Sequence, residues 1–272
     1  MEFTWFELIW YFMIYAVIGW CTEVAFAAVH HGKFVNRGFL NGPVCPIYGV
    51  GVTVVILCLT PIKDNLMILF VGSVVLTSFL EWLTGFVLEK VFHDKWWDYS
   101  DVPFNIGGYI CLKFSLLWGL ACVFVMVIVQ PIIEGFVSGL YNKVGWTIII
   151  ICLVLFVSDA IVTVTTILKL NKRLGLISDM SDRLRELSDS VGENLSGGVM
   201  ELAERGEKIK EKLDDSKRKE EWDALLEKYK KLIAGKKFGH KRLLKAFPNF
   251  ASIRHSDALE GLKKYYREKT KK

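Results

Sequence analysis

Five long apolar segments fill the first 168 residues, and they limit the fold more than any other feature of the sequence. They are residues 6–29, 44–60, 66–90, 112–133 and 146–168. A helix needs about 20 apolar residues, at about 1.5 Å each, to cross the hydrocarbon of a bilayer. The second segment is the shortest, and Pro61 ends it. We therefore predict an all-α, polytopic membrane helix bundle of about five spans.

The charges of the chain are unevenly distributed. Residues 1–168 hold seven Lys and Arg against eleven Asp and Glu, which leaves 27 basic and 18 acidic residues for 169–272. This asymmetry predicts a transmembrane domain, 1–168, and a cytoplasmic amphipathic helical tail, 169–272. The basic excess indicates membrane lipid as a partner. Nucleic acid is not predicted, because the basic residues of the tail alternate with acids.

The tail begins with apolar residues at alternating spacings of three and four. They are Ile177, Met180, Leu184, Leu187 and Val191, and Gly197 and Gly198 follow them. Such a seam allows a homo-oligomeric coiled coil or packing within one chain, and two heptads are too short to hold two chains together alone. We predict that the tail folds back, with Trp222 and Tyr229 against its first helix and Lys236–Lys245 near the inner leaflet.

Basic residues in short loops predict the orientation, because they resist translocation. With five spans and a cytoplasmic tail, the inner loops carry Lys33, Arg37, Lys90, Lys95 and Lys113, whereas the outer loops carry Lys63 and Lys143. The prediction is a multi-pass protein of the bacterial inner membrane with its N-terminus outside. The loops at 30–43 and 91–111 then face the cytoplasm.

Three acidic residues lie inside the apolar segments: Glu23, Glu81 and Asp159. An ionisable group at mid-membrane costs a few kcal/mol on insertion scales, and such groups usually face the interior of a bundle and serve function. In the predicted topology all three lie roughly 9 to 14 Å from the cytoplasmic ends of their helices. Each also shares a helix face with other polar or small residues. We predict that they line one polar, inward-facing cavity, against the alternative that they only form bonds between helices.

The two inner loops contain polar residues that a simple connection does not need. The first holds Arg37, which can fork two hydrogen bonds to a phosphate or carboxylate, and Asn41. The second holds Asp98, Tyr99 and Asn105 among tryptophans typical of a membrane interface. We predict that these five residues bind substrate or ions together with the three acids.

Several familiar chemistries have no motif in this sequence. It contains no GxxxxGK[ST] phosphate-binding loop, no GxSxG and no HExxH. A zinc site of Cys45, Cys111 and His93 would lack the paired spacing typical of such sites. We therefore predict no metal site and no cofactor, and the sequence identifies no catalytic residue.

Three motifs carry a family resemblance: RGFLNGPVCPIYG at 37–49, EWLTG at 81–85 and WDYSDVPFNIGGYICLKFSLLWG at 97–119. In these motifs the chain resembles the CmpB-like putative ABC-transporter permease family of bacterial membrane proteins. The resemblance covers about residues 10–135 and implies a permease. It also implies a separate ATPase subunit as a partner, because this chain has no ATPase domain.

The leading functional prediction is transport or handling of a small solute or lipid through the polar cavity, with the three acids as proton or cation sites. One alternative is an intramembrane enzyme that acts on a lipid-linked substrate, with Glu81 as general acid or base beside Arg37. The other is a membrane-anchored scaffold that recruits a partner through its tail.

Overall fold

The computed structural model of the chain describes residues 3–32, 34–190, 209–210, 216–235 and 239–271. Some residues used in the predictions above lie outside these ranges: Lys33, Val191, Gly197, Gly198 and Lys236.

The described part of the chain is predominantly helical, with very little strand. Its first helices are α1 (Trp5–His31), α2 (Pro46–Leu59), α3 (Leu66–Phe92), α4 (Leu112–Phe124), α5 (Gln130–Gly139) and α6 (Lys143–Asp189). They are followed by α7 (Ser216–Ala234), α8 (His240–Ala246) and α9 (Ser256–Lys271). A 3-10 turn, Thr60–Ile62, extends α2, and a π-helical turn, Val125–Val129, joins α4 to α5.

Four two-residue strands form two small antiparallel pairs. They are β1 (Asp94–Lys95), β2 (Asn105–Ile106), β3 (Ile110–Cys111) and β4 (Ala251–Ser252). Strand β2 pairs with β3, and β1 pairs with β4.

Within the described residues, four helical stretches are long and apolar enough to cross a membrane. They are Trp5–Val29, Leu66–Phe92, Leu112–Gly139 and Lys143–Asp189. The second predicted span is a shorter apolar helix, Pro46–Ile62. The prediction of an all-α membrane helix bundle is thus confirmed, with four spans of sufficient length.

The chain divides into two compact units. The first comprises residues 1–91, 96–164 and 245–249, and the second comprises 92–95, 165–244 and 250–272. Helix α6 contributes its first part to one unit and its last part to the other.

In the first unit, α1 and α2 approach closely because each presents a glycine to the other. A Cβ atom at Gly19 would lie 2.3 Å from the Cβ of Tyr48. A Cβ atom at Gly49 would lie 2.6 Å from the carbonyl oxygen of Phe12. Such contact between backbones is typical of helix pairs in membranes, where association depends on close packing.

The second unit has its own apolar core. Ile177 and Leu184 on α6 are buried, as are Trp222 and Tyr229 on α7. The Tyr229 hydroxyl lies next to Ser181 of α6. Tyr229 therefore contacts α6 as predicted, whereas the packing of Trp222 against that helix stays a prediction.

A buried arginine joins the helices of the second unit. Arg173 on α6 donates hydrogen bonds to the carbonyl oxygens of Leu232 (2.8 Å) and Ile233 (3.0 Å), at the end of α7. It also donates to the hydroxyl of Tyr266 on α9 at 3.2 Å. A cation at the C-terminus of a helix stabilises the last carbonyl groups and the negative end of the helix dipole. Arg173 thus links α6, α7 and α9.

We expect Gly49→Ala to destabilise the first unit by about 1–3 kcal/mol, because the added methyl group overlaps the Phe12 carbonyl oxygen. Gly51→Ala is the matched control, since a Cβ atom at Gly51 meets nothing within 4 Å. There the gain in helix propensity should leave stability equal or slightly higher. Thermal unfolding in detergent, followed by circular dichroism, measures both variants. Equal melting temperatures for the two would contradict the close packing described here.

Candidate functional site

The loop between α3 and α4 is a structured hairpin rather than a simple connection. Gly107 and Gly108 have φ angles of 62° and 74° between β2 and β3, as a type I′ turn requires. The Asn105 amide donates to the carbonyl oxygens of Ser100 (3.1 Å) and Val102 (2.9 Å). The Asp98 carboxylate accepts from the backbone N–H and the hydroxyl of Ser100. Asp98 and Asn105 therefore use these groups to shape the hairpin.

The hairpin contacts one face of α3 at successive helical turns. The Tyr99 hydroxyl donates to Glu81 Oε1 at 3.2 Å, and the Tyr109 hydroxyl donates to Glu89 Oε2 at 2.7 Å. Between these two acids, a Cβ atom at Gly85 would lie 2.9 Å from the Tyr109 ring. Positions i, i+4 and i+8 of a helix share a face, so α3 binds the hairpin through an acid, a glycine and a second acid.

A second carboxyl–phenol pair lies between α1 and α2. The Tyr48 hydroxyl donates to Glu23 Oε1 at 2.6 Å. Sequence reasoning missed Tyr48, although it is a single tyrosine in the first turn of an otherwise apolar helix. Its position could have identified it as a site residue, because a phenol in hydrocarbon needs a hydrogen-bond partner.

Helix α4 brings the two tyrosines together. Tyr99 stacks on Phe114, with ring centroids 5.0 Å apart, and Tyr48 packs edge-on against Trp118 at 5.7 Å. Phe114 and Trp118 are four residues apart and so lie on adjacent turns of one face. The Glu23–Tyr48 and Glu81–Tyr99 pairs are therefore held side by side.

The pKa values of Tyr99 and Tyr109 are consistent with their role as hydrogen-bond donors to the acids of α3. Burial raises the pKa of Tyr99 above its ordinary value, and the negative charges of Glu81 and Glu23 raise it further. The hydrogen bond to Glu89 is the largest of the effects that raise the pKa of Tyr109 to about 12. Both phenols thus keep their protons at neutral pH and act as donors to the carboxylates. Glu81 Oε2 is buried and has no hydrogen-bond partner among the described residues.

Arg37 lies at the edge of this cluster. Its Nε is 3.7 Å from Glu23 Oε2, and each side chain is a little over one quarter exposed. Its guanidinium also lies over the ring of Phe26, 5.9 Å from the centroid. A partly exposed ion pair of this kind contributes only about 1 kcal/mol or less to stability. The Arg37 guanidinium is therefore available to an anionic group beside Glu23.

The third acid of the spans, Asp159 on α6, binds the loop between α1 and α2. Its Oδ1 accepts from the Asn41 backbone N–H (3.2 Å) and side-chain amide (2.8 Å), and its Oδ2 accepts from the Gly42 N–H at 2.7 Å. Thr163, one turn later on α6, accepts from the same Asn41 amide at 3.1 Å. Asp159 therefore fixes the loop between α1 and α2 against α6.

Asn36, a second residue that sequence reasoning missed, closes the same loop. Its Oδ1 accepts from the indole N–H of Trp20 at 2.8 Å, and its Nδ2 donates to the Asn41 carbonyl oxygen at 2.8 Å. Position 36 was not recognised because an asparagine in a loop is usually only a turn residue. The loop is therefore bound to α1 as well as to α6.

The structure sorts the eight predicted site residues into three groups by their hydrogen bonds and ion pairs. Glu23, Arg37, Glu81 and Tyr99 belong to the two carboxyl–phenol pairs and their edge; Asn41 and Asp159 bind each other; Asp98 and Asn105 shape the hairpin. Their role in binding substrate or ions remains a prediction. Within the described ranges, no three His, Cys, Asp or Glu side chains form a group suited to a metal ion.

We expect Asp159→Asn to loosen the loop at residues 34–45, because an amide cannot accept all three hydrogen bonds of the carboxylate. Hydrogen bonds to a charged group contribute about 1.5–3 kcal/mol each. Amide hydrogen exchange at Asn41 and Gly42 should therefore be faster in the variant. Ser158→Ala is the control, since the Ser158 hydroxyl only bonds to the Val154 carbonyl oxygen of its own helix. Unchanged exchange in Asp159→Asn would show that the carboxylate does not hold the loop.

Comparison with known protein families gives a match over most of the membrane part of the chain. The family described as putative ABC-transporter type IV matches residues 10–164, which is more than half of the chain. No curated protein matches, and no solved structure matches. The matched range contains both carboxyl–phenol pairs and the loop held by Asp159. This membrane protein therefore belongs to the family of putative ABC-transporter type IV proteins, as the motifs of its sequence indicated.

Proposed function

We propose that this protein transports or handles a small solute or lipid at the paired sites Glu23–Tyr48 and Glu81–Tyr99, with Glu23 and Glu81 as proton or cation sites. The observation that carries the proposal is the convergence of two membrane-embedded acids on neighbouring phenols against one helix, α4. An acid with a purely structural role needs only hydrogen-bond partners. Glu81 differs, because its buried Oε2 has no hydrogen-bond partner among the described residues. That oxygen is available for a proton, a cation or a donor group of the substrate.

In this proposal the other predicted site residues form the cytoplasmic mouth. Arg37 meets an anionic group of the substrate beside Glu23, and Asp159 fixes the loop that carries Arg37 through its bonds to Asn41 and Gly42. Asp98 and Asn105 keep the hairpin folded so that Tyr99 reaches Glu81. The ion pair of Arg37 with Glu23 favours transport over the enzyme alternative, which requires Arg37 to assist Glu81.

Family membership supports two partners. Proteins of ABC-transporter type use ATP, and this sequence contains no GxxxxGK[ST] motif. We therefore propose a separate ATPase subunit. Membrane lipid is the second partner, since the long apolar helices leave many large hydrophobic side chains exposed.

The proposed topology has five crossings, with the N-terminus outside and the tail in the cytoplasm of a bacterial cell. Phe39 of the first loop packs against Trp96 of the hairpin loop, with ring centroids 5.0 Å apart. This contact supports a location of both loops on one side, so that α2 and α3 together cross the membrane twice. Helix α2 with its 3-10 turn reaches roughly 25 Å, close to the thickness of the hydrocarbon.

We expect Glu81→Gln and Glu23→Gln to lower proton flux into proteoliposomes by about tenfold or more, because an amide side chain cannot bind and release a proton as a carboxylate does. The full-length protein is reconstituted with a pH-sensitive dye inside, and flux is started by a potassium diffusion potential. Asp64→Asn, an exposed acid outside the site, is the matched control and should retain the wild-type rate. Wild-type rates in both glutamine variants, with normal folding, would show that the acids are structural. A wild-type rate equal to that of empty liposomes would exclude proton coupling.

The topology can be tested by cysteine labelling in intact cells, in a background without the six native cysteines. We expect a cysteine at Lys63 to react with a membrane-impermeant maleimide from outside. A cysteine at Asp101, exposed on the hairpin loop, should react only after permeabilisation. Labelling of Asp101→Cys in intact cells would contradict the proposed orientation.

A further inference from the structure

A second polar cluster lies within the apolar core of the first unit, on the face of α1 that also carries Glu23. Tyr11 and Tyr15 are 0% and 2% exposed, and Gln130 at the start of α5 is 5% exposed. The Tyr15 hydroxyl donates to Gln130 Oε1 at 2.7 Å. The surrounding residues are apolar and include Leu69 and Met126. Three hydrogen-bonding side chains are thus buried in the apolar core of this unit.

Two donors of this cluster are not used by the described residues. The Tyr11 hydroxyl and the Gln130 Nε2 are close to one another but make no hydrogen bond of normal geometry, and neither has another hydrogen-bond partner among the described residues. A buried donor without an acceptor costs about 1–3 kcal/mol. A ligand that accepts hydrogen bonds would satisfy both donors.

The backbone hydrogen bonding is irregular just before Gln130. The π-helical turn Val125–Val129 ends at Gln130, whose N–H bonds to the Val125 carbonyl oxygen, five residues earlier. Pro131 follows and has no N–H, which leaves a carbonyl oxygen of this turn without its helical donor. Single π-helical turns inside α-helices are frequent at functional sites.

We propose that Tyr11, Gln130 and the adjoining π-helical turn form a binding site for ordered water in the membrane interior. A water molecule accepts hydrogen bonds from the Tyr11 hydroxyl and the Gln130 amide and donates to a backbone carbonyl oxygen, within the two to four bonds typical of buried water. Glu7 lies one helical turn from Tyr11 on α1, and Glu134 lies one helical turn from Gln130 on α5. These negative charges disfavour an anion as the ligand and favour a neutral molecule.

The site extends the polar face of α1 away from Glu23. Tyr11, Tyr15, Gly19 and Glu23 follow one another at intervals of four residues, about 6 Å per step. The water site itself does not depend on transport. A role for this water in moving protons or solute between the site and Glu23 would rest on the function proposed above.

Radiolytic footprinting of the full-length protein in lipid nanodiscs tests the site, because side chains next to bound water are oxidised within milliseconds of X-ray exposure. The probe is ¹⁸O-labelled water. Met126 lies in the π-helical turn and is 3% exposed, and Met13 on α1 is 9% exposed. We expect Met126 to incorporate the label several times faster than Met13, although Met126 is the less exposed of the two. Equal or slower labelling of Met126 would overturn the proposal.

Two variants test whether the named groups hold the water. Tyr11→Phe removes one hydroxyl and Gln130→Leu removes the amide, and each should bring the labelling rate of Met126 down to that of Met13. If Gln130→Leu does not fold, Tyr11→Phe alone decides. Fast labelling that persists in a folded Tyr11→Phe protein would overturn the assignment of the water to this cluster. The result is independent of proton flux, so it separates failure of this inference from failure of the proposed function.

Discussion

The structure depends on one constraint: hydrocarbon offers no hydrogen bonds, so a polar group inside the spans needs a partner from the chain or from a bound molecule. The three acids of the spans meet this constraint in a similar way. Glu23 accepts from Tyr48 of the short helix α2, Glu81 from Tyr99 of the hairpin, and Asp159 from Asn41 and Gly42 of the first loop. None of these partners lies on one of the four long spanning helices.

The same constraint explains why the two loops are folded rather than extended. A loop that reaches an acid at membrane depth must satisfy its own backbone groups internally. Asn105 and Asp98 do this in the hairpin, and Asn36 does it in the first loop. Glycines at the closest contacts, such as Gly42 beside Asp159 and Gly85 beside Tyr109, allow the backbone and rings to approach.

Pairing acids with phenols has an electrostatic consequence. Each phenol stabilises a carboxylate by donating a hydrogen bond, yet carries no charge of its own. The carboxyl groups of Glu81 and Glu23 both lie near Tyr99, and Arg37 at the edge is paired with Glu23. Under the proposed function, such a site would hold cations or protons beside the acids and an anionic group at the arginine.

The sequence by itself determined the membrane class, the helical fold and the identity of the three acids, because long apolar segments and isolated charges within them have few physical solutions. It also singled out Arg37, Asn41, Asp98, Tyr99 and Asn105 in the two loops, although it missed Asn36. Only the tertiary structure decided which residues pair. Tyr48 became the partner of Glu23 through the packing of α2 on α1, and Asn36 became the partner of Asn41 through the fold of the first loop. Asp159 binds that loop rather than a phenol. Hydropathy and helical spacing predict how deep a side chain lies in the membrane and which helix face carries it. Hydrogen bonds between segments depend instead on how the helices and loops pack.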